Sequence, residues 1–489
     1  MTNSTFTSNS AGTRSGGAIS NRNKLSVTGS TFSGNSAGVG GAIDNSGVLF
    51  VTNSTFTGNT ASQSSGAIYN EPEASVLSVY GSTISGNSTA VVGAAGGIGA
   101  ATPFTLANSI VSGNGVDTTG SYTDNGGNLV GASSINLAPL GSYGGLTQTM
   151  PPLPGSPAIC GGTSANATAA SQTTDQRGLP FDPLCPAGQN LVDSGAVQTS
   201  YALAFTTNPP ANVHTGAAIS PAPVVELTES GIAASAATNS VSVSDHSSKV
   251  GGTLSTSLSS GYATFSNLIP SSIVSGDTLT ATLALTPSLN ISTAPSSSFQ
   301  ATVPVLAQLA DPTSGCTLAG TSATFTWSAV KGVAYYDLHV SIIGPGASDV
   351  WASGATRDTS VTVNGIPTNG AKIYVRLYSR IDGSWLYTDS TYTGASLALA
   401  ELTSPSPGSR LTASSVKFMW SAPAGIKYYD LHLSAIGPGG SDVYSTGTVT
   451  GSSVTVNGIP TNGSKIYTRI YSFVNGTWQY TDSSYTEPQ

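Results

Sequence analysis

Ser30-Thr-Phe-Ser-Gly-Asn-Ser36 recurs as Ser4-Thr-Phe-Thr-Ser-Asn-Ser10, Ser54-Thr-Phe-Thr-Gly-Asn-Thr60 and Ser82-Thr-Ile-Ser-Gly-Asn-Ser88, then in degraded form as Ser109-Ile-Val-Ser-Gly-Asn-Gly115. The leading serines at 4, 30, 54, 82 and 109 give steps of 26, 24, 28 and 27 residues. A repeat in the twenties, built from strand formers and glycine, is the signature of a solenoid.

Each copy after the first is preceded by an alternating apolar pair: Leu25 and Val27, Leu49 and Val51, Leu77 and Val79, Phe104 and Leu106. Period-two alternation marks a strand with one buried face, and equivalent residues on successive coils stack into columns. Phe6, Phe32, Phe56, Ile84 and Val111 predict one more internal column. Asn9, Asn35, Asn59, Asn87 and Asn114 fall at one turn position. Asparagine there tolerates a left-handed backbone, and its amide can bond to the asparagine of the next coil. A second set, Gly16-Gly-Ala-Ile19, Gly40-Gly-Ala-Ile43, Gly66-Ala-Ile68 and Gly96-Gly-Ile98, closes each rung where the chain turns tightly. The pattern predicts a parallel β-helix.

The alternation of Gly-Gly-Ala-Ile with Phe-x-x-Asn resembles the right-handed β-helix of polymorphic outer-membrane and autotransporter-like surface proteins. From Ser109 to about Gln198 the chain is similar to the bacterial "choice-of-anchor Q" family. The words that carry this are Asn125-Gly-Gly-Asn-Leu-Val130, Gly144-Gly-Leu-Thr-Gln-Thr149, Pro154-Gly-Ser-Pro-Ala-Ile159, Thr174-Asp-Gln-Arg-Gly178 and Asp193-Ser-Gly-Ala-Val197. The resemblance spans roughly the first 198 residues and implies a secreted or surface-exposed protein with no shared chemistry. The family is named for its varied C-terminal anchors, and this sequence has no obvious one.

A chain of 489 residues predicts several domains. Only 8% of residues are charged, but 38% are hydrophobic in clean alternation, which favours folded all-β modules over disorder. With a net charge of −8 and no cluster of lysine or arginine, a nucleic-acid partner is not expected. No apolar run reaches the length of a membrane span. Met1 opens directly into a repeat without a signal peptide or a visible cap over the first coil, so the N-terminus reads as truncated. Cys160 and Cys185 bracket a loop that a disulfide would close in an oxidising compartment, three reduced thiols being the alternative. Cys316 has Ser409 as its repeat partner.

Residues 115–200 lose the repeat and gain Pro151, Pro152, Pro154, Pro157, Pro180, Pro183 and Pro186, which reads as a loop-rich cap over the last coil. Residues 201–304, with runs at Val241–Val243, Tyr262–Phe265 and Leu279–Leu285, resemble a bacterial immunoglobulin-like module. Beyond them Trp327 and Trp420, Tyr336 and Tyr429, His339 and His432, Asn364 and Asn457, and Trp385 and Trp478 are each 93 residues apart. A gap-free repeat of that length is the size of a β-sandwich. Val361–Pro367 and Lys372–Tyr378 resemble later strands of fibronectin type III modules, placed at 305–398 and 399–489. The expected architecture is all-β: a β-helix over 1–114, its cap, and three sandwiches, forming an elongated rod.

Parallel β-helices also serve as pectin lyases and polygalacturonases, which cluster acidic and basic groups on one outward face. The solenoid carries Arg14, Arg22, Lys24, Asp44, Glu71, Glu73, Asp117 and Asp124, with no histidine before residue 190 and no acidic pair at rung spacing. Glu71 and Glu73 flank Pro72 in what reads as a loop. No catalytic residue, cofactor or metal ligand is therefore assigned. Asp175 and Arg177 form the most tempting polar pair, either for a sugar carboxylate or as a clamp fixing the cap. His339 and His432 read as strand histidines on a solvent face. Trp327 and Trp420 suit a sandwich core. Trp351, Trp385 and Trp478 lie beside turns, Asp382-Gly-Ser384 and Asn475-Gly-Thr477 among them, where aromatic rings either stack on sugars or pack along an edge. The resulting expectation is a non-catalytic extracellular or cell-surface bacterial protein for adhesion or matrix contact. A polysaccharide-active β-helix or its carbohydrate-binding fragment is the alternative, and a structural stalk the third reading.

Overall fold

The computed structural model describes residues 1–181, 185, 191–474 and 476–488. Pro183, Pro186 and Asn475 lie outside the described residues. The chain divides into two compact units, Met1–Val303 and Pro304–Gln489.

The first unit opens with a parallel β-solenoid whose sheets hold six, five, five and three strands. Phe6, Phe32, Phe56, Ile84, Val111 and Val130 pair in register down one sheet, and the first three rings stack face to face at 4.7 and 4.6 Å. Leu25, Leu49 and Leu77 form a second column beside Val27, Val51, Val79 and Leu106. These side chains fill a core with no solvent access from Val27 to Leu106.

The asparagines form the expected ladder. Nδ2 of Asn9, Asn35, Asn59 and Asn87 donates to Oδ1 of the next at 2.8, 2.8, 2.8 and 2.9 Å, and Asp117 ends the series by accepting from Asn114. The left-handed residue is not the asparagine, however, but the one before it: Ser8, Gly34, Gly58, Gly86 or Gly113. A second ladder, Asn21 to Asn45 to Asn70 at 2.6 and 2.7 Å, was not anticipated. The Gly-Gly turns are dictated by close approach, since a Cβ on Gly41 would meet the carbonyl of Gly66 at 2.1 Å.

Two expectations about residues 115–200 need correction. The solenoid does not stop at 114: Thr118–Thr119, Tyr122–Asp124 and Leu129–Val130 extend three of its sheets by one shortened coil. The remainder also runs back along the side of the coils instead of only closing the last one. Thr31, Thr55 and Thr83 point outward from one sheet, and the returning chain bonds to each. Thr31 Oγ1 donates to the Gln148 carbonyl (2.5 Å), Thr55 Oγ1 to Gln176 Oε1 (2.6 Å), and the Ala196 N–H to Thr83 Oγ1 (3.0 Å). We call this segment the strap. Cys160 and Cys185 are joined by a disulfide within it.

The strap leads into the sandwich that begins with strand Tyr201–Thr207 and pairs with Val224–Glu229. The runs expected as strands appear as Ser240–Asp245, Tyr262–Thr264 and Leu279–Thr286. Ile159 and Leu153 of the strap pack into this sandwich's core, and Tyr201 donates to the Pro152 carbonyl at 2.7 Å.

The second unit holds two copies of one sandwich, each a three-stranded and a four-stranded sheet. Trp327 and Trp420 are buried, against Tyr336 and Tyr429. The sandwiches resemble fibronectin III and immunoglobulin modules.

The inner ladder makes a quantitative demand. Asn59→Ala strands the amide of Asn35 and the Phe32 carbonyl and is expected to cost roughly 2–4 kcal/mol, whereas Asn9→Ala at the exposed end costs about 1 kcal/mol or less. Hydrogen exchange over residues 30–60 measures both, and equal losses at the two sites contradict the ladder account.

Candidate functional site

In each C-terminal sandwich one sheet turns a polar, aromatic face to solvent. Lys372–Ile381 and Ser384–Thr393 form a ten-residue hairpin paired from Lys372 with Thr393 to Ile381 with Ser384. Asp382 and Gly383 link them with φ of 50° and 81°, the positive pair that a two-residue hairpin turn needs and that Asp-Gly supplies. Strict alternation then sends Ile373, Val375, Leu377 and Ile381 inward and Tyr374, Arg376, Tyr378 and Arg380 outward. Across the hairpin Trp385 faces Arg380, Tyr387 faces Tyr378, and Asp389 faces Arg376.

These side chains brace one another. Arg376 holds Asp389 through two bonds of 2.7 and 2.8 Å, and its guanidinium lies 3.6 Å from the Tyr387 ring centroid. Those bonds keep the Asp389 carboxyl below its ordinary range and raise the arginine. Tyr378 stands edge-on to Tyr387, Trp385 and His339 at 5.7, 6.3 and 5.0 Å. His339 is itself tied to Asp337 at 3.3 Å and to the Gly346 carbonyl at 3.2 Å. Trp385 and Tyr387 remain 39% and 48% exposed.

The second sandwich repeats the arrangement. Arg469 grips Asp482 at 2.7 and 2.8 Å and lies 3.5 Å from Tyr480, while Tyr471 stands edge-on to Tyr480 and Trp478 at 5.7 and 6.4 Å. Trp478 and Tyr480 are 40% and 49% exposed. On the outward face of the hairpin the copies differ at Thr391, which is Ser484 in the second copy, and at Arg380, whose place Phe473 takes, packing on Trp478 at 5.1 Å.

Of the residues singled out from sequence, Trp385 and Trp478 lie on this face. Trp351 does not. It pairs with Val340 and packs against the sandwich core, with its indole N–H buried and without a partner among the described residues. Asp175 and Arg177 are also corrected as ligand contacts, because neither side chain reaches solvent. Arg177 spends its donors on Asp175 (2.8 Å), Glu229 (2.6 Å), the Gln198 carbonyl (2.7 Å) and the Tyr143 carbonyl (3.1 Å). The pair is a clamp from the strap to the adjoining sandwich. Tyr378, Tyr387, Arg376, Asp389 and their copies were missed, although the 93-residue repeat and the alternation of the hairpin together point to them.

The solenoid does hold an acidic pair across coils. Asp44 lies opposite Tyr69 of the next coil, and Glu71, one residue beyond the strand Ile68–Asn70, is fixed by an N–H bond of 2.8 Å to the Asn45 carbonyl. Asp44 is only 5% exposed, and its Oδ1 has no hydrogen-bond partner among the described residues. Burial, then the charge of Glu71 and a hydrogen bond to it, push the Asp44 carboxyl from the ordinary 3.8 up to about 7, against a counter-pull from Ser15 and Arg22. Alternation hid this pair, because Glu71 faces Asp44 diagonally and not at the rung position. Cys160, Cys185 and Asp193 also meet, but the two sulfurs are bonded to each other and Asp193 accepts from the Cys160 and Thr199 N–H groups.

No family model and no curated protein matches this chain. Among solved structures, fibronectin(III)-like modules of Clostridium thermocellum CbhA align at 10% identity over 37% of this chain and 93% of theirs, with a TM-score of 0.16. Chicken CNTN1 FN1-FN3 domains align at 11% over 59% and 98%, TM-score 0.20. Extracellular domains 3-5 of Drosophila OTK align at 10% over 58% and 96%, TM-score 0.19. At these scores the fold assignment rests on the strand pairing described above. No helix among the described residues is long and apolar enough to cross a membrane.

Two measurements check these assignments. Arg177→Met leaves two buried carboxylates unpaired and is expected to destabilise the first unit by roughly 3–5 kcal/mol in denaturant unfolding. Asp44 has the opposite sign from a paired carboxylate: its pKa is raised on folding, so stability is lost as pH rises from about 4 to about 7. Asp44→Asn should therefore flatten that slope and leave the solenoid more resistant than the parent at pH 8. An unchanged slope contradicts the assignment.

Proposed function

We propose that the chain is a non-catalytic, secreted or cell-surface bacterial protein that works in attachment, its C-terminal sandwiches making the contact. The observation that carries this reading is the duplicated aromatic and arginine face. Four large rings stay 39–49% exposed while their neighbours are locked by paired charges and edge contacts. Leaving such rings in water forfeits burial of about 25 cal/mol per Å² of apolar surface, which a bound partner recovers. The β-solenoid with its strap serves as a stable base. Its likeness to the choice-of-anchor Q group rests on the words quoted above, and the Asp175-Gln-Arg-Gly178 word supports it by supplying the strap's clamp and the threonine contact of Gln176.

A polysaccharide-cleaving β-helix is the other reading, and Asp44 with Glu71 is the observation on its side. Burial of Asp44 weighs against it, because general acid–base work needs the carboxyl within hydrogen-bond reach of the substrate. Incubation of the whole chain with acidic and neutral polysaccharides, followed by chain-length analysis, separates the two. The attachment reading expects unchanged lengths, together with retention of the chain on cell or matrix surfaces. Shortened products that disappear in Asp44→Asn establish the enzyme instead.

A further inference from the structure

We infer that the two exposed sheet faces are equivalent carbohydrate-binding sites, each stacking neutral pyranose rings of a polysaccharide on Trp385 and Tyr387 or on Trp478 and Tyr480. The inference deepens the attachment reading and rests on it, naming the ligand class of the same site.

Three properties of the face select this occupant. The first is its composition. Outward positions of the strands Tyr335–Ser341, Lys372–Ile381 and Ser384–Thr393 hold aromatic, hydroxyl and charged side chains, with no leucine, isoleucine or valine among them. The same holds for Tyr429–Ser434, Lys465–Val474 and Thr477–Thr486. A sugar offers C–H groups to such rings and hydroxyls to the flanking polar groups.

The second is charge. Arg376 with Asp389 and Arg469 with Asp482 are closed pairs, so each site centre is neutral and still offers carboxylate lone pairs at its rim. In the second copy Phe473 replaces Arg380, so the cation beside the tryptophan is gone and the remaining lysine of that face, Lys465, sits at the far end of its strand against the Tyr467 ring. A neutral polymer loses nothing by that substitution, and an apolar ring suits it as well as an arginine.

The third is pre-organisation. Alternate residues on a strand stand about 6.6–6.8 Å apart, so Trp385 and Tyr387 form a short row along one edge of the sheet. Arg376 backs the Tyr387 ring and Tyr378 abuts both rings. The row is rigid before binding, and little side-chain entropy is lost on contact. A second row 93 residues later fits a repeating ligand, since a polymer can engage both rows and gain effective concentration.

The test uses the whole chain in native gels cast with a neutral β-glucan, galactomannan or starch, with polygalacturonate as the anionic contrast. Retardation is expected in at least one neutral gel and not with polygalacturonate. Trp385→Ala or Trp478→Ala should each weaken it by roughly 3- to 10-fold, the scale of one ring contact. The double variant should lose more than the product of the two. All four rings are surface residues, so an unchanged thermal transition verifies folding, and Trp385→Tyr should restore part of the binding. Retardation that survives in the double variant overturns the inference, as does binding to polygalacturonate alone. A chain held on cell or matrix surfaces yet unretarded in every neutral gel removes the carbohydrate sites and leaves attachment standing. A chain held on neither removes both.

Discussion

A buried primary amide has to satisfy two donors and an acceptor, and in the solenoid that requirement governs everything built around it. Each inner asparagine gives one N–H to the next coil and one to a carbonyl of the previous coil, while its oxygen takes two N–H groups from the coil before. Those partners exist only when consecutive coils stack in one register. The ladder thus converts a local turn residue into a long-range constraint, and the phenylalanine and leucine columns fall into line because the register is already set. Low charge in the solenoid agrees with the same geometry, since a stacked position repeats its neighbour about every 4.8 Å and like charges there repel.

The C-terminal sandwiches meet a different constraint. Their large hairpins expose one face, and the aromatic rings on it would be loose without support. Closed Arg–Asp pairs provide that support, in near-identical geometry in both copies. The pairs lie at the surface, where an ion pair adds about 1 kcal/mol or less to stability. Their evident effect is to position Tyr387 and Tyr480, on which the guanidinium groups rest.

Much of this was readable from the residues. Period-two alternation and the asparagine spacing fix the solenoid's columns, and the 93-residue repeat marks both sandwiches. What escaped did so for physical reasons. The shortened coil ending at Val130 keeps its strands but drops the Ser-Gly-Asn turn, so the repeat is invisible there while the backbone pairing continues. The strap's path depends on contacts such as Gln176 with Thr55, separated by 121 residues, and no local pattern encodes them. Asp44 and Glu71 meet on a diagonal between coils. For the aromatic face, Trp385 and Trp478 were legible as turn-flanking rings. Their partners Tyr387 and Tyr480 looked like ordinary alternation until the hairpin register placed them beside a locked arginine.

The strap acts as a ruler laid against the solenoid. Stacked coils are in principle free to multiply, because each contacts only its neighbours. Here Gln148, Gln176 and Ala196 reach Thr31, Thr55 and Thr83 on three successive coils, and the clamp at Arg177 then fastens the strap to Glu229 in the adjoining sandwich. An extra coil inserted between Thr31 and Thr83 would move these marks apart by one strand spacing, about 4.8 Å, and unhook the strap from one end or the other. Coils added ahead of Ser4 leave every mark in place. Growth of this solenoid is therefore polar: its length can vary only at the end remote from the strap, and the segment beneath it is held to a constant count.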